Sequence, residues 1–267
     1  SGSRFSNGGN RPLHQGIGAS CLIAATPLED HPRMNNVLLS RPEKYDTVIN
    51  VIGGLENLGI IFDSLEACLS IQNGNEAAPM ANLRTEESSG RVERMLKAVV
   101  NAFRNDNHRD LISSLIKSQV PAQDREIVLF WHLALNNRLL REISTRVLAK
   151  AYLSGRGGLR KDDIVGYVKD FLGRNESLKL DWSETTIDRL GSKYLNLMSK
   201  LNLLSGGRTK SFHAIRLSGE AITIFLYLSS IHQPEQRNIL AHELVPLCFI
   251  PPDDLAARLK KLSTRGA

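Results

Sequence analysis

Asp181-Trp182-Ser183-Glu184-Thr185-Thr186-Ile187 is the stretch whose reading decides the fold. Ser183 carries the short hydroxyl that accepts from the orphan amides of a helix start. Glu184 places an anion in the first turn, where the helix dipole favours it. From there Ile187, Leu190, Tyr194, Leu197, Met198 and Leu201 recur at helical spacing and form one apolar stripe. The spacing predicts a helix ending near Leu204. Before it, Leu159 to Leu172 makes a second amphipathic segment, with Ile164, Tyr167, Val168, Phe171 and Leu172 inward and Gly173 as its stop. After it come Ser205-Gly206-Gly207-Arg208-Thr209-Lys210, a basic glycine turn, and a β-like run from Phe212 to Leu217. Helix, turn, helix, basic turn and strand is the order of a winged helix-turn-helix.

The outward side of the second helix carries the chemistry. Thr185, Arg189, Ser192, Lys193, Asn196 and Lys200 share one face, opposite the apolar stripe. Cations and hydroxyls meet phosphates, while Arg and Asn also hydrogen-bond base edges. Arg208 and Lys210 fall at the expected wing, within reach of a neighbouring phosphate or the minor groove. Gly155 to Leu217 holds 12 Lys and Arg against 7 Asp and Glu, a balance of +5 within a chain total of +6. That concentration favours nucleic acid. The bland alternatives are a solvated helix face and a protein-docking module, since winged helices serve both.

The remaining composition excludes more than it assigns. A chain of 267 residues, 42% apolar and 23% charged, is long enough to bury a substantial core. Cys21, Cys68 and Cys248 lie far apart with no CxxC, which argues against a zinc site or a disulfide framework and for reduced thiols in the cytoplasm. No apolar run is long enough for a transmembrane helix, and no secretory signal pattern opens the chain. Walker A, GxGxxG, HExxH and GxSxG motifs are absent from the sequence. The acidic pairs Asp162-Asp163 and Asp253-Asp254 stand at expected helix starts, where capping explains them. The chain is therefore expected to be a non-enzyme with no cofactor and no metal.

Outward from the opening stretch, most segments read as helix. Val37 to Leu39 closes a short helix before Pro42. Gly53-Gly54 makes a turn, and Leu55 to Ile71 carries a helical stripe. Gln72 to Gly90 reads as a loop, and Val92, Met95, Leu96, Val99, Val100 and Phe103 as the core face of a helix. The doublets Leu111-Ile112 and Leu115-Ile116 mark the next. Asp124 to Asn137 is apolar nearly all round and should be a buried central helix, with Trp131 in the core and His132 at its edge. Arg138 to Leu153 follows, with Arg138, Arg141, Arg146 and Lys150 on its solvent side and Gly155 after it. Ser218 caps an apolar helix to His232, Glu235 to Leu247 is partly helical, and Asp253 to Leu262 makes the last helix.

Five blocks resemble the A component of BREX phage-defence systems, the BrxA family. They are Arg84-Thr85-Glu86-Glu87-Ser88-Ser89-Gly90-Arg91-Val92, Asn137-Arg138-Leu139-Leu140-Arg141-Glu142, the Leu159 to Leu172 helix, Trp182-Ser183-Glu184-Thr185-Thr186, and Lys200 to Gly206. The resemblance runs from about Leu83 to Ile250, and its most specific block is Trp182 to Thr186. It implies an all-helical protein with a small β-wing, in which a helical bundle similar to the NusB fold precedes the winged helix-turn-helix. The expected organisation is a flexible tail and expression scar over 1–14, a helical bundle over 15–154, the winged helix-turn-helix over 155–217 and C-terminal helices over 218–267. The resemblance further implies a non-enzymatic binder of double-stranded DNA that works with other phage-defence subunits, without a membrane. A scaffold subunit and a NusB-like RNA-binding regulator are the alternatives.

Overall fold

The computed structural model describes residues 44–72, 90, 96, 99–117 and 120–264. The expectations for the tail, for Val37 to Leu39, for the Gln72 to Gly90 loop and for most of the Arg84 to Val92 block fall outside these residues. The described residues belong to one compact unit.

The chain enters with α1 (Ile49–Ile52), the Gly53-Gly54 turn and α2 (Gly59–Gln72). Helices α3 (Asp106–Lys117) and α4 (Ala122–Asn136) follow. As its composition requires, α4 is buried from Ile127 to Leu135 without interruption. A helix apolar on all sides loses nothing by being surrounded, so α4 becomes the axis on which α9 (Gly219–His232) packs. Trp131 stacks edge-on against Phe225 of α9 and donates its indole N–H to the Leu247 carbonyl at 2.9 Å.

His132 lies deeper than its expected place at the core edge: it is fully buried. Its Nδ1 sits 3.1 Å from Nε2 of His108, which is equally buried. The amide of Arg104 donates to His108 Nδ1, and His132 Nε2 donates to the Val100 carbonyl. This order uses one proton per ring, so both imidazoles are neutral. Burial pushes His108 down to about 3 and His132 down to about 4.

Asn137 caps α5 (Arg138–Ile143) by accepting from the Leu140 amide. The helix then widens into a π-helical stretch, Ser144–Ala149, and narrows again into α6 (Lys150–Leu153). Arg141 corrects its expected solvent position: it is 6% exposed. Its guanidinium donates to the carbonyls of Ala134 and Leu135 and pairs with Glu243 at 3.4 Å. A buried cation persists only with such partners.

Next come β1 (Gly158–Leu159), α7 (Lys161–Arg174), α8 (Glu184–Lys200), β2 (Leu204–Ser205) and β3 (Lys210–Phe212). The three strands form one antiparallel sheet in the order β1-β3-β2. Helix α7 runs one residue past its expected stop at Gly173, to Arg174. Helix α8 ends at Lys200 instead of near Leu204, which lies in β2. The β-like run is displaced as well, because pairing with β1 and β2 occupies Lys210–Phe212 and leaves 213–217 outside the sheet. Beyond α9, two short 3-10 turns, Ile239–Ala241 and Val245–Cys248, account for the partly helical reading there, and α10 (Pro252–Thr264) closes the fold. The fold is thus all-helical with a small three-stranded sheet. One core runs through it, from Ile127 and Leu139 to Leu190 and Tyr194, without a break at 155 or 218.

Candidate nucleic-acid interface

Helices α7 and α8 cross closely. Gly191 makes this possible, since a Cβ there would meet Val165 Cγ2 at 2.9 Å and Lys161 Cγ at 3.0 Å. Ile164 and Val168 of α7 meet the core together with Ile187, Leu190, Tyr194, Leu197 and Met198 of α8. The Tyr194 hydroxyl lies 3.0 Å from Ser144 Oγ in the π stretch, which fixes α8 to the bundle. Ser183 caps α8 as its sequence requires, accepting from the Thr186 amide. Trp182, just before the cap, is half-buried against the core.

The eight residues expected to face nucleic acid separate into two groups. Thr185, Arg189 and Asn196 are exposed on α8, with Ser192 half-exposed between them. Arg208 is exposed in the turn between β2 and β3. Neither Arg189 nor Arg208 has an ion-pair or hydrogen-bond partner among the described residues. Lys210 is half-buried and folds back to donate to the Gly206 carbonyl at 2.7 Å.

Lys193 and Lys200 belong to the other group, because α1 packs on the C-terminal half of α8. Gly53 sits against the Lys193 backbone so closely that a Cβ there would fall 2.1 Å from the Lys193 carbonyl oxygen. The Lys193 ammonium lies beside Gly54. Lys200 donates to the carbonyls of Gly53, at 3.3 Å, and Leu55. Burial, helped by the nearby Lys193 charge, lowers the Lys200 pKa. The single outward stripe read from the sequence is therefore open over Thr185 to Ser192 and partly covered from Lys193 onward, and Lys200 is occupied within the chain.

Several cations in the basic segment are neutralised locally. Lys161 pairs with Asp188 at 2.6 Å, Lys169 with Glu184 at 2.5 Å and Arg156 with Asp163 at 2.8 Å. Asp163 also accepts from the Arg160 amide at the start of α7, so its pair position is a cap, as read. Sequence reasoning missed the docking of α1; its one visible signal was Gly53-Gly54, which read only as a turn. Among the described residues no three His, Cys, Asp or Glu side chains gather as metal ligands do. No helix among them is long and apolar enough to cross a membrane.

A search of curated proteins returned no match. The family model of BrxA matches residues 67–226, from the middle of α2 to the middle of α9, and contains β1, α7, α8, β2 and β3 whole. It begins earlier and ends earlier than the resemblance placed between about Leu83 and Ile250. The expected likeness is correct in kind: the chain belongs to the BrxA family and is a BREX-type phage-defence component.

Proposed function

We propose that this BREX component is a non-enzymatic, cytoplasmic protein that binds double-stranded DNA through a winged helix-turn-helix formed by residues 155–217. The observation that carries the reading is the unpartnered, exposed pair of arginines, Arg189 on α8 and Arg208 in the β2–β3 turn. In helix-turn-helix proteins the N-terminal residues of the second helix reach base edges while the remainder supports it. Thr185, Arg189 and Ser192 are the open residues of that half here. Asn196 extends the face, and Arg208 meets the flanking backbone as a wing does. Lys210 supports the wing turn. Lys193 adds positive potential at the margin, and Lys200 serves the fold more than the ligand.

With two free arginines and a short face, affinity comes mainly from phosphates. It is then strongly salt-dependent and weakly sequence-selective. Binding places the protein on DNA beside the other subunits of the defence system. The test is a mobility-shift titration of a duplex against the Arg189→Glu, Arg208→Glu double variant at two salt concentrations. Loss of affinity of at least about tenfold, with a shallower salt dependence, supports the assignment. Unchanged duplex binding removes it. Stronger binding of wild type to single-stranded or structured RNA than to duplex DNA would favour an RNA-binding role for the bundle.

A further inference from the structure

On the other side of the π stretch from Tyr194, a polar cleft of about 780 Å³ opens between α5, the π stretch and the 3-10 turns after α9. Among the described residues Arg104, Arg138, Arg141 and Arg146 line it together with two carboxylates, Glu142 and Glu243, a surplus of two positive charges. Both carboxylates are engaged. Glu142 accepts from the Tyr45 and Tyr167 hydroxyls and pairs with Arg138 at 3.5 Å. Glu243 accepts from His232 at 2.5 Å and pairs with Arg141, and the His232 bond holds it below the usual carboxylate range. His242 adds no charge, as it donates to the Ser229 carbonyl and accepts from the Leu244 amide.

Three of the arginines are held in place. Arg141 is fixed at depth by two carbonyls, Arg104 donates to the Leu135 carbonyl, and Arg138 stacks on the Tyr45 ring with its guanidinium carbon 4.5 Å from the centroid. Arg146 is exposed at the mouth and is delivered there, with Thr145, by the π-helical stretch. Such stretches are uncommon in helices and recur at functional sites. The facing wall carries the apolar residues Ile231, Pro234, Leu240 and Pro246, with His232 and Gln233 between the first two.

We propose that this cleft binds a phosphorylated small molecule of nucleotide size, with its phosphates on the arginines and the face of its aromatic ring against the Ile231 to Pro246 wall. Forked guanidiniums match phosphate oxygens, and the volume is that of a small-ligand pocket. A duplex, by contrast, meets convex surfaces such as the α8 face and cannot reach a recessed guanidinium. The inference is independent of the DNA reading, since none of Thr185, Arg189 or Arg208 lines the cleft.

Calorimetric titration of the full chain with ATP, adenosine and inorganic triphosphate tests it. ATP is expected to bind more tightly than triphosphate, and adenosine to give no measurable heat. The Arg146→Glu variant, altered at an exposed position and so expected to melt as wild type does, should bind ATP at least about tenfold more weakly. Its duplex affinity should stay within about twofold. Absence of heat from ATP at millimolar concentration overturns the proposal, as does wild-type ATP affinity in Arg146→Glu. ATP binding no tighter than triphosphate overturns it too, because the apolar wall then takes no part. If duplex DNA displaces ATP and Arg146→Glu weakens both ligands equally, the cleft belongs to a nucleic-acid surface and the small-molecule reading falls.

Discussion

The two halves of α8 have the same kind of sequence and different fates. Thr185, Arg189 and Ser192 stand on the first half, Lys193, Asn196 and Lys200 on the second, all on one side of the helix. The first half looks outward, and Arg189 on it has no partner among the described residues. The second carries α1, with Gly53 pressed on the Lys193 carbonyl and Lys200 tied to the carbonyls of Gly53 and Leu55. Polar side chains at helical spacing say which residues share a face. They do not say whether the same chain returns to cover part of it. What distinguishes the halves is a helix of four residues more than a hundred positions away.

The strongest way to break this contrast is at Gly53. In Gly53→Val a side chain must occupy space 2.1 Å from the Lys193 oxygen and 2.9 Å from the Ile49 oxygen, so α1 has to leave α8. We expect a loss of at least about 3 kcal/mol in denaturant unfolding. An unfolding midpoint equal to wild type would mean that α1 is not docked in solution.

Acid separates fold from face in another way. His108 and His132 have folded pKa values below the ordinary 6.5, near 3 and 4. As pH falls through 6.5 the unfolded chain binds protons that the folded chain refuses. Stability is therefore full above pH 6.5 and declines below it, by about 1.4 kcal/mol per histidine at pH 5.5. Urea midpoints between pH 7.5 and 5.5 should show this decline, and His132→Gln should remove about half of it. The open face of α8 carries no histidine, so duplex binding by the folded fraction should not follow the same curve.

Arg189→Glu sharpens the open half. It should lower duplex affinity about tenfold while shifting unfolding by less than about 0.5 kcal/mol, because nothing in the fold leans on that side chain. Lys200→Met should give the reverse pattern on a smaller scale. It removes an ammonium from two carbonyls, a loss of about 1 kcal/mol in urea unfolding, and leaves duplex affinity within about twofold. If Lys200→Met weakens DNA binding as much as Arg189→Glu does, the division of α8 into two halves is wrong.

Much of the fold was legible because it rests on local chemistry. The unbroken apolar run of α4 required burial, and Ser183 with Glu184 required a helix start. The apolar spacing from Ile187 to Met198 required that face to turn inward. The errors lie where a residue's partner is distant in sequence. Lys200 finds Gly53 across 147 positions. Arg141 read as solvent-facing because its helix spacing put it beside Arg138, yet Glu243, about a hundred residues later, gives it a buried partner. The π stretch has no composition of its own, so Ser144–Ala149 read as ordinary helix and the arginine it presents read as one more surface cation. The wing was placed a few residues late because strand propensity in Phe212 to Leu217 was followed, whereas the available edge, β1, sets the register at Lys210 and Ser211.

The chain has two tryptophans, and they are placed as a pair of independent optical reporters. Trp131 is sealed in the interior against Phe225, so its emission changes only when the interior opens. Trp182 stands half-buried one residue ahead of the Ser183 cap, where a ligand on α8 would alter its surroundings while the interior stays shut. A Trp131→Phe variant isolates the second signal and a Trp182→Phe variant the first. The protein thus carries internal instrumentation that tells occupancy of its surface apart from loss of its structure, without any added dye.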